Sequence, residues 1–96
     1  MSHFKITPQA YEDLKEIARY TQNKWGVKKR NLYISAINSR FEWLSKNPEI
    51  GKTREDIKKG YLSYPEGKHV IFYRDKTIHI EILAILHQSM DYELHL

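Results

Sequence analysis

Hydrophobic and polar residues alternate along the chain with two different periods. Between Pro8 and about Lys24, Ala10, Leu14, Ile17, Ala18 and Thr21 recur every three or four positions, the spacing that lines one face of a helix. Tyr33, Ala36, Ile37, Phe41 and Leu44 repeat that spacing between about Val27 and Lys46. After Gly60 the period shortens to two. Ile78, Ile80 and Ile82 alternate with His79 and Glu81, and the alternation then gives way to Leu83-Ala84-Ile85-Leu86, apolar on both faces. A strand carries such a run where it sits within a sheet and something covers each side, so Ile78 to Leu86 is expected to be the central strand. The apolar run stops at His87, and the polar segment Gln88-Ser89-Met90-Asp91 follows. The end of a buried strand is a rigid platform for polar groups, which makes this junction the first place to look for function.

Punctuating residues separate these runs. Thr7 can cap the first helix with its hydroxyl, and Pro8 suits the first helical position, where its missing N–H is not needed. Glu12 and Asp13 are expected near the positive end of the helix dipole and Lys24 near the negative end. Trp25-Gly26 ends the helix, Gly26 standing where a left-handed terminating residue belongs, and the short connection makes an antiparallel helical hairpin. Pro48 pushes Asn47 out of helical geometry and so ends the second helix. Lys52 to Lys59 reads as a charged connection anchored by Ile57. Phe4 to Ile6 is a short first strand. Tyr61 to Tyr64 and His69 to Arg74 are two more, with turns at Pro65-Glu66-Gly67 and Asp75-Lys76-Thr77. The expected order is β-α-α-β-β-β, an α+β fold in which an N-terminal helical hairpin packs on a small, mainly antiparallel sheet.

Ninety-six residues suffice for one modest core, so residues 1–96 are read as one domain. The absence of cysteine excludes disulfides, thiolate catalysis and cysteine metal sites and leaves stability to packing. No run approaches the roughly 18 apolar residues of a membrane helix, and Met1-Ser2-His3-Phe4-Lys5 lacks the layout of a signal peptide. A cytoplasmic protein without membrane contact is expected. Sixteen Lys and Arg against twelve Asp and Glu leave a net charge of +4, which permits an acidic partner without requiring nucleic acid. Lys28, Lys29 and Arg30 fall in the first turn of the second helix, where the dipole disfavours each cation by roughly a few tenths of a kcal/mol. A solvated face tolerates that cost, and a contact patch for an acidic partner would use it.

Familiar catalytic signatures are missing: there is no phosphate-binding glycine loop, nucleophile elbow or H-E-x-x-H. The histidines His3, His69, His79, His87 and His95 show no ligand spacing. His79 and His87 share a face of the expected strand but lie about 26 Å apart at strand rise, too far to hold one ion, so neither a metal nor a cofactor is expected. Arg74 and His87 form a more informative pair, because adjacent strands would let an exposed sheet face collect them. Two readings stay open. His87 is a boundary histidine bonded to backbone and Arg74 a solvated strand end, or the pair is a cation and a general acid–base group acting on phosphates.

Many local signatures occur in one order. Thr7-Pro8 with Ala10 and Asp13-Leu14 opens the first helix, and Tyr20-Thr21 through Trp25-Gly26 closes it. Pro48, Gly51, Arg54, Asp56-Ile57 and Gly60 follow, then His69-Val70-Ile71-Phe72-Tyr73-Arg74, and finally Ile85-Leu86-His87 with Met90-Asp91. Over nearly its whole length the chain thereby resembles the ParE branch of the RelE/ParE superfamily, the toxins of bacterial type II toxin–antitoxin modules. The resemblance implies the β-α-α-β-β-β fold and a cognate ParD-like antitoxin that wraps the toxin through a helical and extended C-terminal segment. It also implies a multimeric complex that binds operator DNA through the antitoxin. Lys28, Lys29 and Arg30, with Tyr11, Tyr20 and Trp43 on less buried helix faces, become antitoxin-binding candidates. ParE-like toxins poison DNA gyrase and are not themselves enzymes; Arg74, His87, Gln88, Met90 and Asp91 are then target-contact candidates. RelE-like toxins are ribosome-dependent mRNA endonucleases, for which Arg74 and His87 would be the catalytic pair. Gln88 stands where several of those ribonucleases have tyrosine, and the I-L-H-x-x-M-D tail follows the ParE pattern, so gyrase is the expected target. An inactive antitoxin-binding module is a third class.

Overall fold

The computed structural model describes residues 3–96. Both helices form where their periodicity places them: α1 spans Pro8–Trp25 and α2 spans Val27–Lys46. Five strands precede or succeed them: β1 (Phe4–Ile6), β2 (Lys52–Thr53), β3 (Leu62–Glu66), β4 (His69–Asp75) and β5 (Ile80–His87). They make one sheet in the order β1-β5-β4-β3-β2, with β1 parallel to β5 and every other pairing antiparallel. The expected α+β order is therefore observed, with one addition. Lys52 and Thr53, read as part of a charged connection, pair with Ser63 and Leu62 as a two-residue edge strand. Nothing in their side chains signals a strand; the pairing arises from where the turn beyond them delivers β3.

Thr7 caps α1 as expected, accepting a hydrogen bond from the Ala10 N–H at 3.2 Å, and its hydroxyl also donates to the Leu83 carbonyl at 3.2 Å. Glu12 and Asp13 lie beyond the first turn, which holds no acidic residue. Asp13 has a different task. Its carboxylate accepts the Ile85 N–H of β5 at 3.0 Å and the Gln9 side-chain amide at 3.0 Å. The first of these bonds belongs to tertiary structure, satisfying a strand group that would otherwise face an open edge.

The sheet buries both faces. Toward the helices, Ile71, Tyr73, Ile80, Ile82 and Ile85 pack with Ala10, Ile17, Ile37, Phe41 and Leu44. On the far face Phe72, Ala84 and Leu86 are covered by Ile57, Tyr92 and Leu96. A bulge keeps these faces consistent: Tyr73 pairs with Ile82 and Phe72 with Ala84, so Leu83 is the extra residue. Without it Ile85 would turn away from the helices. The predicted double-sided burial of Ala84 to Leu86 is thus found, but β5 starts later than expected. Ile78 is 81% exposed in a turn where the Asp75 carboxylate accepts the Thr77 N–H and Thr77 adopts a positive φ. Ala36 likewise faces solvent, its place on the helical stripe being too far from the sheet.

A cleft between the helical hairpin and the end of β5

β4 and β5 place His69 directly opposite His87, with ring centroids 5.4 Å apart and the planes nearly perpendicular. Both rings lie on the helix side of the sheet, at its edge, where α1 and α2 reach over them. Tyr33 of α2 closes the site from above, its hydroxyl 2.6 Å from His69 Nδ1 and 3.3 Å from the Glu66 carbonyl. The hydroxyl proton can serve either acceptor, and a neutral imidazole supplies the complementary group in either tautomer. Burial, reinforced by the neighbouring His87, pushes the His69 pKa down to about 4, so this ring is neutral at physiological pH. Burial also raises the Tyr33 hydroxyl above its ordinary value. His87 is fixed differently: the Ser89 N–H donates to its Nδ1 at 3.1 Å and the Ser89 hydroxyl sits 2.7 Å from the same atom. An accepting Nδ1 puts the proton of the neutral ring on Nε2.

The two histidines form the floor shared by two adjoining clefts. One, of about 420 Å³, opens toward the end of the hairpin among Tyr20, Trp25, Tyr33, Lys24, Lys29 and Lys68. Lys24 lies between aromatic rings, its ammonium 5.7 Å from the centroids of both Tyr20 and Trp25. The other, of about 610 Å³, runs back between α1 and the outer edge of β5 past Ile85, Asp13 and Glu16. Together they form a groove that is apolar at its base, acidic along α1 and basic at the hairpin end.

The candidate residues separate on this frame. Arg74 and His87 are not a pair. Arg74 lies opposite Glu81, five residues along β4 from the residue that faces His87, about 17 Å at strand rise, and it points to the other face of the sheet. The expectation of a shared exposed face fails because antiparallel pairing puts the end of β4 against the start of β5. Lys29 and Tyr20 line the cleft, whereas Arg30 turns back toward α1, where its guanidinium binds the Gln22 side chain and Asn31. Lys28 and Tyr11 are exposed, the latter under the Lys15 ammonium at 5.2 Å. Trp43 is not on an open face. It packs against Tyr64 at 5.2 Å and beneath the Arg40 guanidinium at 4.8 Å, while Arg40 binds Glu66 at 2.7 Å. Gln88, Met90 and Asp91 are exposed after β5, and Met90 borders the second cleft.

Sequence reasoning missed His69, Tyr33 and Lys68 as members of this site. The pairing of His69 with His87 comes from counting outward from the turn between β4 and β5, but only once the bulge at Leu83 is known. It also missed a cluster on the far face, where the Arg54 guanidinium sits 5.5 Å from the Phe72 ring and 5.4 Å from Tyr92 and binds the Asp56 carboxylate through two nitrogens at 3.1 and 3.0 Å. That hydrogen-bonded pairing raises the Arg54 pKa and holds Asp56 below the usual carboxylate range.

Residues 4–92 match the family described as ParE toxin of type II toxin-antitoxin system, parDE. Two curated relatives agree. Toxin ParE1 of Caulobacter vibrioides is 32% identical over 96 residues, covering 100% of this chain and 99% of its own length. Toxin ParE1 of Mycobacterium tuberculosis is 32% identical over 98 residues, covering 99% and 98%. A solved structure described as a chromosomal ParDE TA system from P. aeruginosa shares the fold, with a TM-score of 0.76 at 22% identity over 91% of this chain and 96% of that one. The chain belongs to the ParE toxin family of type II toxin–antitoxin systems.

Proposed function

We propose that this toxin acts by poisoning DNA gyrase, trapping it on cleaved DNA, and that a cognate ParD-like antitoxin neutralises it by direct binding. Family membership over residues 4–92 supports both parts. The placement of Arg74 and His87, about 17 Å apart and on opposite faces, carries the choice of target, because a ribonuclease would need a cation and an acid–base group on one phosphodiester. The antitoxin dimerises, so the complex is a multimer in the cytoplasm and binds operator DNA through its antitoxin subunits. The groove floored by His69 and His87 is where the toxin offers partners both apolar surface and charge.

One observation favours a second reading, ribosome-dependent mRNA cleavage. His69 and His87 with Lys24, Lys29 and Lys68 bring acid–base groups beside cations. Against it, His69 ionises only near pH 4, and one nitrogen of each ring is occupied within the fold. The deciding experiment is a gyrase cleavage assay with purified chain, gyrase, supercoiled plasmid and ATP, stopped with detergent and protease. Linear DNA that appears with the chain and disappears when antitoxin is added is the expected result. Absence of linear DNA with a folded chain, together with mRNA cut on ribosomes in a manner lost in His87→Ala, would replace this reading with the second.

A further inference from the structure

The outer edge of β5 is only partly paired. β1 covers it as far as Ile82, whose carbonyl accepts the Thr7 N–H at 3.1 Å, and there the chain leaves the sheet to start α1. Past the bulge, the Ile85 N–H points outward to the Asp13 carboxylate. In an extended strand the carbonyl of that same residue and the groups of the residue two further on point the same way. The inward positions confirm the alternation, since Gln88 donates to the Lys68 carbonyl at 2.9 Å across the β4–β5 pairing. Of the outward groups, the His87 carbonyl is taken by the Met90 N–H at 2.9 Å. The Ile85 carbonyl and the His87 N–H remain, both facing the larger cleft, and no residue among those described bonds to them.

A carbonyl at one position and an N–H two residues later, on one edge, are the two groups that a single residue of a parallel strand engages. An antiparallel strand would instead direct a carbonyl at the Ile85 N–H, where the Asp13 carboxylate already lies. We propose that an extended segment of the antitoxin seats here as a short parallel strand continuing the row begun by β1. One of its residues donates its N–H to the Ile85 carbonyl and accepts from the His87 N–H, and acidic side chains just after that residue reach Lys24, Lys29 and Lys68. The direction is fixed by the pairing. Travelling parallel to β5, the segment passes from the acidic stretch at Asp13 and Glu16 over His87 and enters the basic, aromatic end of the groove. Main-chain bonding sets its register, and the cations select acidic residues at its leading end. The proposal rests on the reading that an antitoxin binds this chain.

The test measures amide exchange by NMR in the full chain, free and bound to its full-length cognate antitoxin. Binding is expected to slow the His87 amide at least tenfold while the Ile85 amide, already bonded to Asp13, and the amides of β2 at the far edge change little. Lys24→Glu with Lys68→Glu is expected to weaken antitoxin binding at least tenfold at low salt, with the loss shrinking as salt is raised. Near-UV circular dichroism of the variant checks that it is folded. An antitoxin that binds and neutralises while His87 exchange is unchanged overturns the strand seat and leaves the toxin reading intact. Slowing at His87 with full affinity in the double variant overturns the acidic segment. Protection of His87 that grows with chain concentration before antitoxin is added assigns the edge to a second copy and also overturns the proposal. Failure of the antitoxin to bind at all sinks the underlying reading.

Discussion

At the scale of single residues, the strongest constraints are polar groups that the core has to satisfy. Tyr73 is fully buried, yet its hydroxyl donates to the Pro48 carbonyl at 2.8 Å and accepts the Gly51 N–H at 3.0 Å, and burial pushes its pKa up to about 12. Tyr73→Phe is expected to lower stability by about 1–2 kcal/mol, because two backbone groups lose a partner without a cavity opening; urea denaturation reads this, and no change in midpoint would refute it. His69 makes a pH prediction. Its folded pKa is about 4 against an ordinary 6.5, so the unfolded chain binds more protons between those values and stability rises with pH there. The contribution is complete above about 6.5 and is lost as pH falls toward 4. For a half-buried ring screened by solvent it amounts to on the order of 1–2 kcal/mol. His69→Gln is expected to flatten that part of the stability–pH curve, and an unchanged slope would mean that other groups control it.

At the scale of elements, the hairpin turns on a single residue. Gly26 joins α1 to α2 with φ 93° and ψ 171°, a conformation essentially confined to glycine, and open space surrounds its Cα. Gly26→Ala is therefore expected to cost about 1–3 kcal/mol through backbone strain alone, read as a lowered thermal midpoint with unchanged helical circular dichroism. A loss of helix content as well would show that the turn holds the helices and not merely joins them. The position of this glycine, the ends of both helices and the two-sided burial of β5 are legible in the sequence, because each is set by local periodicity or by a residue with restricted backbone behaviour. The site is less legible for a physical reason. Asp13 reads as a dipole partner and proves to be a bond to Ile85; Trp43 reads as exposed and proves to stack on Tyr64 under Arg40. Register depends on a bulge at Leu83 that no residue type announces, and a shift of one position decides which histidine faces His87. The same dependence on register hides from the sequence that Arg74 lies far from His87.

At the scale of the whole molecule, the two faces of the sheet are covered unequally. The hairpin lays two helices of 18 and 20 residues on one face, whereas the other is covered by Ile57 and by the short C-terminal turn Tyr92–Leu94 with Leu96. Tyr92 holds that turn in place, its ring 4.9 Å from Phe72 edge to face and 5.4 Å from the Arg54 guanidinium. Such a segment opens at lower free energy than the core, since few buried contacts and few backbone bonds tie it down. Tyr92→Ala is expected to cost about 2 kcal/mol and Arg54→Ala about 1 kcal/mol. The double variant should lose less than their sum, because removing either side chain already ends the contact between ring and cation. Hydrogen exchange is expected to accelerate in residues 92–96 in either variant while β4 and β5 stay protected. Additive losses would show that Arg54 acts only on Asp56. The target-contact candidates Gln88, Met90 and Asp91 lie between β5 and this anchor, so on the gyrase reading Tyr92→Ala should weaken DNA cleavage in a chain that is still folded. Full cleavage activity with a demonstrably loosened tail would place the gyrase contact elsewhere on the molecule.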